Sequence, residues 1–346
     1  MYPNRHRQCQ IHQRLLTAQA EGVNQAATSL QLNWPPVCEE YFELATLLSS
    51  VVEYVQTATT PRHVTRPYTM VELGSGYGFW AFTALGALRQ QLPPGISTDD
   101  AVRLLLVDIT PTLSGIIEET GRLNNLRFAG RWRADGQLTT PEASLHFHCG
   151  LIGPTSDIHD PRRNTSTLNT SALNEALNAS TQDGISTVPA IASHWEKMWG
   201  VTLNATHDVQ LRPPMTFEDL LSAHQMPRCI DLVDIDIQGF EYPTFASRRG
   251  KIIVERGLFY GTEVIELLTR RARRVHIGVH GDLNADATLI SVFEKYGWEL
   301  RRHYAQQAIP SLAPGWKTQR TSTPLGMVQF ADGLLDFVNH RARECW

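Results

Sequence analysis

Apolar residues recur at helical spacing from 39 to 58, in EEYFELATLLSSVVEYVQTA, and the TTPR run that follows ends that helix. The rhythm then changes. YTMVEL (68–73) reads as a buried strand, and YGFWAFTALGALRQQL (77–92) as a helix stopped by PPG. VRLLLVD (102–108) has the apolar run of a strand covered on both faces. TLSGIIEETGRLNNL (112–126) predicts a helix, and SLHFHCGLIG (144–153) alternates and stops at glycine as a strand would. The beat returns with TFEDLLSAH (216–224), a helix capped by Thr216, and the strand CIDLVDID (229–236). TEVIELLTRRA (262–272) is a helix with Thr262 as its cap, RRVHIGVHGD (273–282) a strand, and ATLISVFEKYG (287–297) a helix closed by Gly297. WELRRHYA (298–305) and LGMVQFAD (325–332) are expected to pair as a final hairpin. Strands alternating with helices predict an α/β fold with a mostly parallel, doubly wound sheet and helices on both faces.

Residues 154–204 interrupt this pattern. They are polar, rich in Asn, Ser and Thr, and predict an insertion, lid or loop, with AIASHWEKMWG (190–200) as a short amphipathic helix. His194, Trp195 and Trp199 there could cover a substrate or pack into the core. The expected organisation is an N-terminal helical extension (1–65) and one large domain (66–346) that carries the insertion.

Composition narrows the class. With 346 residues, 42% of them hydrophobic, the chain can bury a large core. A net charge of -4 gives no electrostatic reason to expect nucleic acid, and RRARR (270–274) reads as a solvated helix face. No apolar run approaches the ~20 residues that span a bilayer, and no apolar segment follows the charged N-terminal residues, so a cytoplasmic protein without membrane contact is expected. Cys9, Cys38, Cys149, Cys229 and Cys345 are odd in number and scattered, which predicts reduced thiols and neither a disulfide framework nor a metal site. Sequons begin at Asn164, Asn169, Asn178 and Asn204, and without an export signal they carry no weight.

The chemistry starts at VELGSGYGFW (71–80), where three glycines separate a strand from a helix. Gly76, Gly78 and Ala81 fit the dinucleotide pattern G-x-G-x-x-G/A. Gly74, Gly76 and Gly78 with Glu72 fit the E-x-G-x-G-x-G turn of class I S-adenosylmethionine-dependent methyltransferases. Glu72 favours the methyl donor, because a carboxylate there can help hold an ammonium group and would repel a pyrophosphate. Asp108 ends the second strand, where it could accept both ribose hydroxyls of either cofactor.

CIDLVDIDIQGFEYPTF (229–245) resembles the second signature of the FkbM family of methyltransferases, a Lys-Ile-Asp-Val-Glu-Gly-x-Glu run. MTFEDLL (215–221), VHIGVHGD (275–282), FEKYGWEL (293–300) and LVDITPTLSGIIEETGRLNN (106–125) resemble further segments of that family in the same order. The similarity covers roughly 68–150 and 210–305. Asp234 stands where the family has Lys, Gln238 where it has its first Glu, and Gly278 where a Glu precedes Val-His. The resemblance implies a Rossmann-like class I methyltransferase fold with a seven-stranded sheet and S-adenosyl-L-methionine as cofactor. It implies O-methylation of a hydroxyl on a small molecule, sugar or natural product. Cofactor contacts are expected from Glu72, Gly74, Ser75, Gly76, Tyr77, Gly78, Asp108, Ile109 and Asp236. The chain could assemble as a homo-oligomer. Two other classes stay open: a nicotinamide-dependent oxidoreductase and an inactive methyltransferase-fold subunit.

Methyl transfer requires alignment of a nucleophile with the methyl group and removal of its proton. Asp234, Asp236, His280 and Asp282 are candidates at the carboxyl ends of two strands. A cation held by Asp236, Glu241 and His280 would lower a hydroxyl pKa. The metal-free reading, with His280 as base and Asp236 beside it, needs fewer ligands and is the one expected.

Overall fold

The computed structural model describes residues 39–58, 64–108, 110, 113–130, 140, 142–152, 212–237, 245–246, 252–254, 258, 262–279, 285–304, 319–323, 326–330, 333–342 and 345. All of them belong to one compact unit, formed by Val37–Arg163 and His207–Trp346. The elements in chain order are α1 (Glu39–Ala58), β1 (Tyr68–Leu73), α2 (Phe79–Gln91), β2 (Val102–Asp108), α3 (Leu113–Leu123), β3 (Leu145–Ile152), β4 (Arg212–Met215) and α4 (Phe217–Ala223). They continue with β5 (Leu232–Ile235), β6 (Phe245–Ala246), β7 (Ile252–Val254), α5 (Glu263–Arg271), β8 (Arg274–Val279) and α6 (Ala285–Lys295). The last are β9 (Glu299–Tyr304), β10 (Gln319–Thr323), β11 (Gly326–Phe330) and β12 (Gly333–Val338).

The main sheet has eight strands in the order β4-β3-β2-β1-β5-β8-β12-β9. The strands from β4 to β8 run parallel, and β12 runs antiparallel to both its neighbours. This is a Rossmann-like sheet with one reversed strand between two others, extended by the short edge strand β4. The chain crosses from one side of β1 to the other between β4 and β5, which puts the switch point, and the crevice it opens, at the carboxyl ends of β1 and β5.

Side-chain alternation divides the core between the two faces. Val71, Leu73, Leu105, Val107, Val233, Ile235, Val275 and Ile277 face a layer that includes Phe217, Leu220 and Leu221 of α4, Val264 and Leu268 of α5, and Leu289 and Phe293 of α6. Tyr68, Met70, Leu104, Leu106 and Leu232 face Leu47, Val51 and Tyr54 of α1, Ala81, Leu85 and Leu88 of α2, and Ile117 of α3. Every residue of β1 is therefore buried, as a strand covered on both sides must be. The α1 helix shares this second cluster with the sheet. It is further tied down by Tyr54, whose hydroxyl donates to the Arg66 carbonyl (2.7 Å), and by the Ser50–Tyr68 hydroxyl pair (2.7 Å).

Four expectations are corrected. The 298–305 segment pairs with β12, not with 325–332; the latter overlaps β11, which forms a separate hairpin with β10. The reason is burial: GLLDFV is buried at all six positions and supplies the apolar partner the edge needed. The helix after β1 begins at Phe79 rather than 77, because Gly78 takes a left-handed conformation (φ 73°). Thr216 does cap α4, accepting from the Asp219 amide at 3.0 Å, whereas Thr262 makes no side-chain cap and sits at helical angles (φ -109°, ψ -12°). Finally, Cys229 and Cys345 form a disulfide that fastens the C-terminus to the start of β5, while Cys149 is a buried free thiol. The 154–204 insertion, including 190–200, lies outside the described residues, as do residues 1–38.

Candidate functional site

The glycine turn stands at the switch point. Gly74 has φ +80°, and a Cβ on it would lie inside the Asp236 carbonyl, 2.7 Å from the carbonyl carbon. Only glycine lets the β1 turn lie this close to the end of β5, where the Asp236 amide donates to the Leu73 carbonyl at 2.9 Å. Gly76 has φ +49°, and a Cβ there would meet nothing within 4 Å. The first glycine is thus needed by the fold, and the second faces space that a ligand can fill. The Ser75 hydroxyl is buried and has no hydrogen-bond partner among the described residues, so it is a ready donor or acceptor within the turn.

Asp108 braces the turn from β2. Its Oδ2 accepts from the Gly76 amide (3.0 Å) and its Oδ1 from the Thr110 amide (2.8 Å). Both carboxylate oxygens therefore help to hold the loop. The neighbouring Ile109 lies outside the described residues.

Glu72 is turned toward the start of α2. It is 3% exposed, and its Oε2 accepts from the Ala81 amide at 3.0 Å. The carboxylate therefore occupies the first turn of α2, where amides point outward and the helix dipole favours negative charge. It thereby fixes the start of the helix that follows Tyr77 and Gly78. Burial pushes the Glu72 carboxyl well above the usual carboxylate range; the Asp234 charge adds to this, and the Ala81 and Trp80 amides oppose it.

Asp234 does not reach the strand tips. It pairs in register with Glu72 on one side and His276 on the other. His276 Nδ1 donates to Asp234 Oδ1 at 2.5 Å, and both side chains are buried. Of the four strand-end candidates, the described residues thus include Asp234, two residues inside, and Asp236, just beyond β5. His280, Asp282, Glu241 and Gln238 lie outside the described residues, and among the described residues no cluster suited to a metal ion occurs.

Two further groups of buried histidines escape a reading of the sequence. One is His276 itself. The other lies on the opposite face, where His224 bridges His146 (Nδ1 to Nδ1, 3.4 Å) and His148 (Nε2 to Nδ1, 3.2 Å). His146 Nε2 donates to the Ala143 carbonyl at 2.8 Å, and burial pushes the His146 pKa down to about 4. His224 uses different ring nitrogens for its two neighbours, so the three form a chain of imidazoles rather than a shared ligand set. The alternation of SLHFHCG marks 146 and 148 as facing the same side, and this was the available signal.

No described helix is long and apolar enough to cross a membrane. No family model matches the chain, and no curated protein matches it. Among solved structures, a class I S-adenosylmethionine-dependent methyltransferase from Listeria monocytogenes is similar at 8% identity and a TM-score of 0.36, over 94% of this chain and 67% of that one. An RNA methyltransferase from Pyrococcus horikoshii is similar at 9% identity and a TM-score of 0.33, over 94% and 98%. Magnesium protoporphyrin IX methyltransferase from Synechocystis, solved with S-adenosylhomocysteine, is similar at 9% identity and a TM-score of 0.30, over 96% and 99%.

Proposed function

We propose that the protein is an S-adenosylmethionine-dependent methyltransferase that methylates a hydroxyl of a small molecule, sugar or natural product. One observation carries the choice of cofactor. In a dinucleotide fold the amides at the start of the helix after β1 receive the pyrophosphate. Here Glu72 already occupies that helix start, through the Ala81 amide. A phosphate would find that amide already taken, whereas the Asp108 and Asp236 carboxylates near the turn favour a cation. The antiparallel β12 between β8 and β9 supports the same reading, since the dinucleotide sheet has no reversed strand there.

When bound, the donor supplies a methyl group on a positively charged sulfur. The chain's own part is alignment. Gly76 leaves room, Asp108 fixes the turn and offers its remaining lone pairs to ribose hydroxyls, and Asp236 stands at the β5 end beside Gly74. His280, just past β8, remains the expected base for the acceptor. The O-methyl specificity rests on the family resemblance, and acceptor choice on the stretches that depart from it.

Calorimetric titration with S-adenosylmethionine and, separately, with NAD decides between the cofactors. Binding of the methyl donor alone is expected. Binding of NAD with none of the donor would refute the proposal. Transfer of a labelled methyl group across a panel of phenols, sugars and alcohols then tests the acceptor class, and activity only on amines or carbon nucleophiles would refute the O-methyl part.

A further inference from the structure

The α1 helix presents an unusual inner stripe. Glu43, Thr46, Ser50 and Glu53 recur at three- and four-residue spacing, so they share one helix face. Thr46 pairs with Arg302, Ser50 with Tyr68, and Glu53 with Arg274. Under the fourth, Glu43, lies a cavity of about 10 Å³, the size of a single water. Its walls include Thr46, Trp80, Asp234 and His276. His276 is 2% exposed, and its Nε2 has no hydrogen-bond partner among the described residues. An imidazole whose Nδ1–H is committed to Asp234 carries a bare lone pair on Nε2. Leaving such an atom unpaired is costly, and a fold sustains that where something else completes the bond.

The place of this pair matters. Asp234 and His276 face each other across β5 and β8, β5 being the neighbour of β1, and Trp80 of the cavity wall belongs to the first turn of the helix that follows the glycine loop. Asp234 is two residues inside Asp236, hence roughly 7 Å below the strand tips.

We propose that His276, oriented by Asp234, is the final proton acceptor of the methyl-transfer reaction and is reached through one water in this cavity. This rests on the methyltransferase reading above and adds the route of the proton. The acceptor oxygen forms its bond to the methyl carbon, and the sulfur–methyl bond breaks with its electron pair going to sulfur. The hydroxyl proton passes to the water, which gives one of its own to Nε2. The imidazolium so formed is stabilised by the Asp234 carboxylate, the arrangement that lets a buried histidine gain charge. Asp234 is a positioning residue. The other charged groups around His276 are Glu43 on α1, Glu72 beyond Asp234 on β1, Arg274 on β8 and, opposite it in register, Asp336 on β12, which Arg274 and Arg302 hold.

The test has two arms on the full chain. Long-range 1H–15N NMR of histidine-labelled protein, assigned with His276→Gln, is expected to show His276 protonated at Nδ1 and bare at Nε2. It should gain a proton at Nε2 as the pH falls. An Nε2-protonated neutral ring would overturn the proposal without any acceptor in hand. In the second arm, calorimetry with S-adenosylmethionine is expected to give the same affinity within about threefold for wild type and His276→Gln. Transfer to the best phenol or alcohol of the panel should fall roughly 100- to 10,000-fold, with loss of the acidic limb of the pH–rate profile. Asp234→Asn should move that limb. A folded His276→Gln with unchanged transfer, or transfer lost only in His280→Ala, would overturn the proposal and leave the cofactor reading standing. Failure of wild type to bind the donor would instead refute the cofactor reading.

Discussion

Gly74 and Gly76 are two residues apart in one turn, yet they should fail in different ways when each is replaced by alanine. At Gly76 the added methyl meets no protein atom within 4 Å. The variant pays only for holding an L-residue in the left-handed region, about 1–2 kcal/mol. For a domain of this size that lowers Tm by roughly 2–8 °C, at about 2–4 °C per kcal/mol. The same methyl occupies space that a bound donor would use, so affinity should drop at least tenfold, or about 1.4 kcal/mol. At Gly74 the methyl falls inside the Asp236 carbonyl, 2.7 Å from its carbon. Relief requires β1 and β5 to separate, with loss of the Asp236 amide to Leu73 carbonyl bond. Overpacking of this kind costs about 1–3 kcal/mol and occasionally more, added to the left-handed term. Differential scanning calorimetry and donor titration on both variants separate the effects. A Gly76→Ala protein that binds the donor as wild type does, or a Gly74→Ala protein as stable as Gly76→Ala, would refute this division of labour.

Three other outcomes are expected. His146 is held neutral, with its pKa lowered from 6.5 to about 4 by burial; the unfolded chain then binds more protons between those values. Its contribution is complete above pH 6.5 and is lost as the pH falls to 4, roughly 3 kcal/mol in all. Urea unfolding should therefore weaken with acid more steeply in wild type than in His146→Leu, and equal slopes would count against it. The Cys229–Cys345 bond closes a separation of 116 residues, so Cys345→Ser should cost about 2–4 kcal/mol. A peptide map of unreduced protein without the linked pair would dismiss the bond. Asp108→Ala frees the Gly76 and Thr110 amides and should weaken donor binding roughly tenfold or more with little change in Tm; intact binding would remove Asp108 from the site.

The sheet was legible because its strands obey one rule. YTMVEL, VRLLLVD and RRVHIGV are apolar on both alternating sets, which suits strands covered on two faces, and the intervening helices show their period. What local pattern could not supply was long-range pairing. GLLDFV follows a hairpin and looks like its continuation, yet it lies between β8 and β9. The disulfide joins two cysteines 116 positions apart, and scattered spacing holds no trace of such proximity. Thr262 fits the sequence preference for a cap but has the wrong backbone angles, a choice made by the surrounding chain.

The turn could be read from its glycines, whereas the partners of its acids could not be read from local pattern. Asp234 and Asp236 alternate to the same side, and the sequence places Asp236 at the strand tip with Asp234 further down. The strand stops at Ile235, so Asp234 lies inside, where an unpaired charge would be prohibitively costly. A buried inward aspartate implies a partner at the same height on a neighbouring strand. Glu72 cannot be that partner, since it is itself acidic and turned to the α2 amides. The remaining neighbour is β8, whose sequence RVHIGV offers one polar residue between its ends, His276, at the required register. The pair is therefore a consequence of the fold's own accounting of charge. The bare Nε2 is the part that packing does not require, since a leucine or methionine could have filled the same volume. That surplus polar atom is what ties the buried row to the chemistry above it.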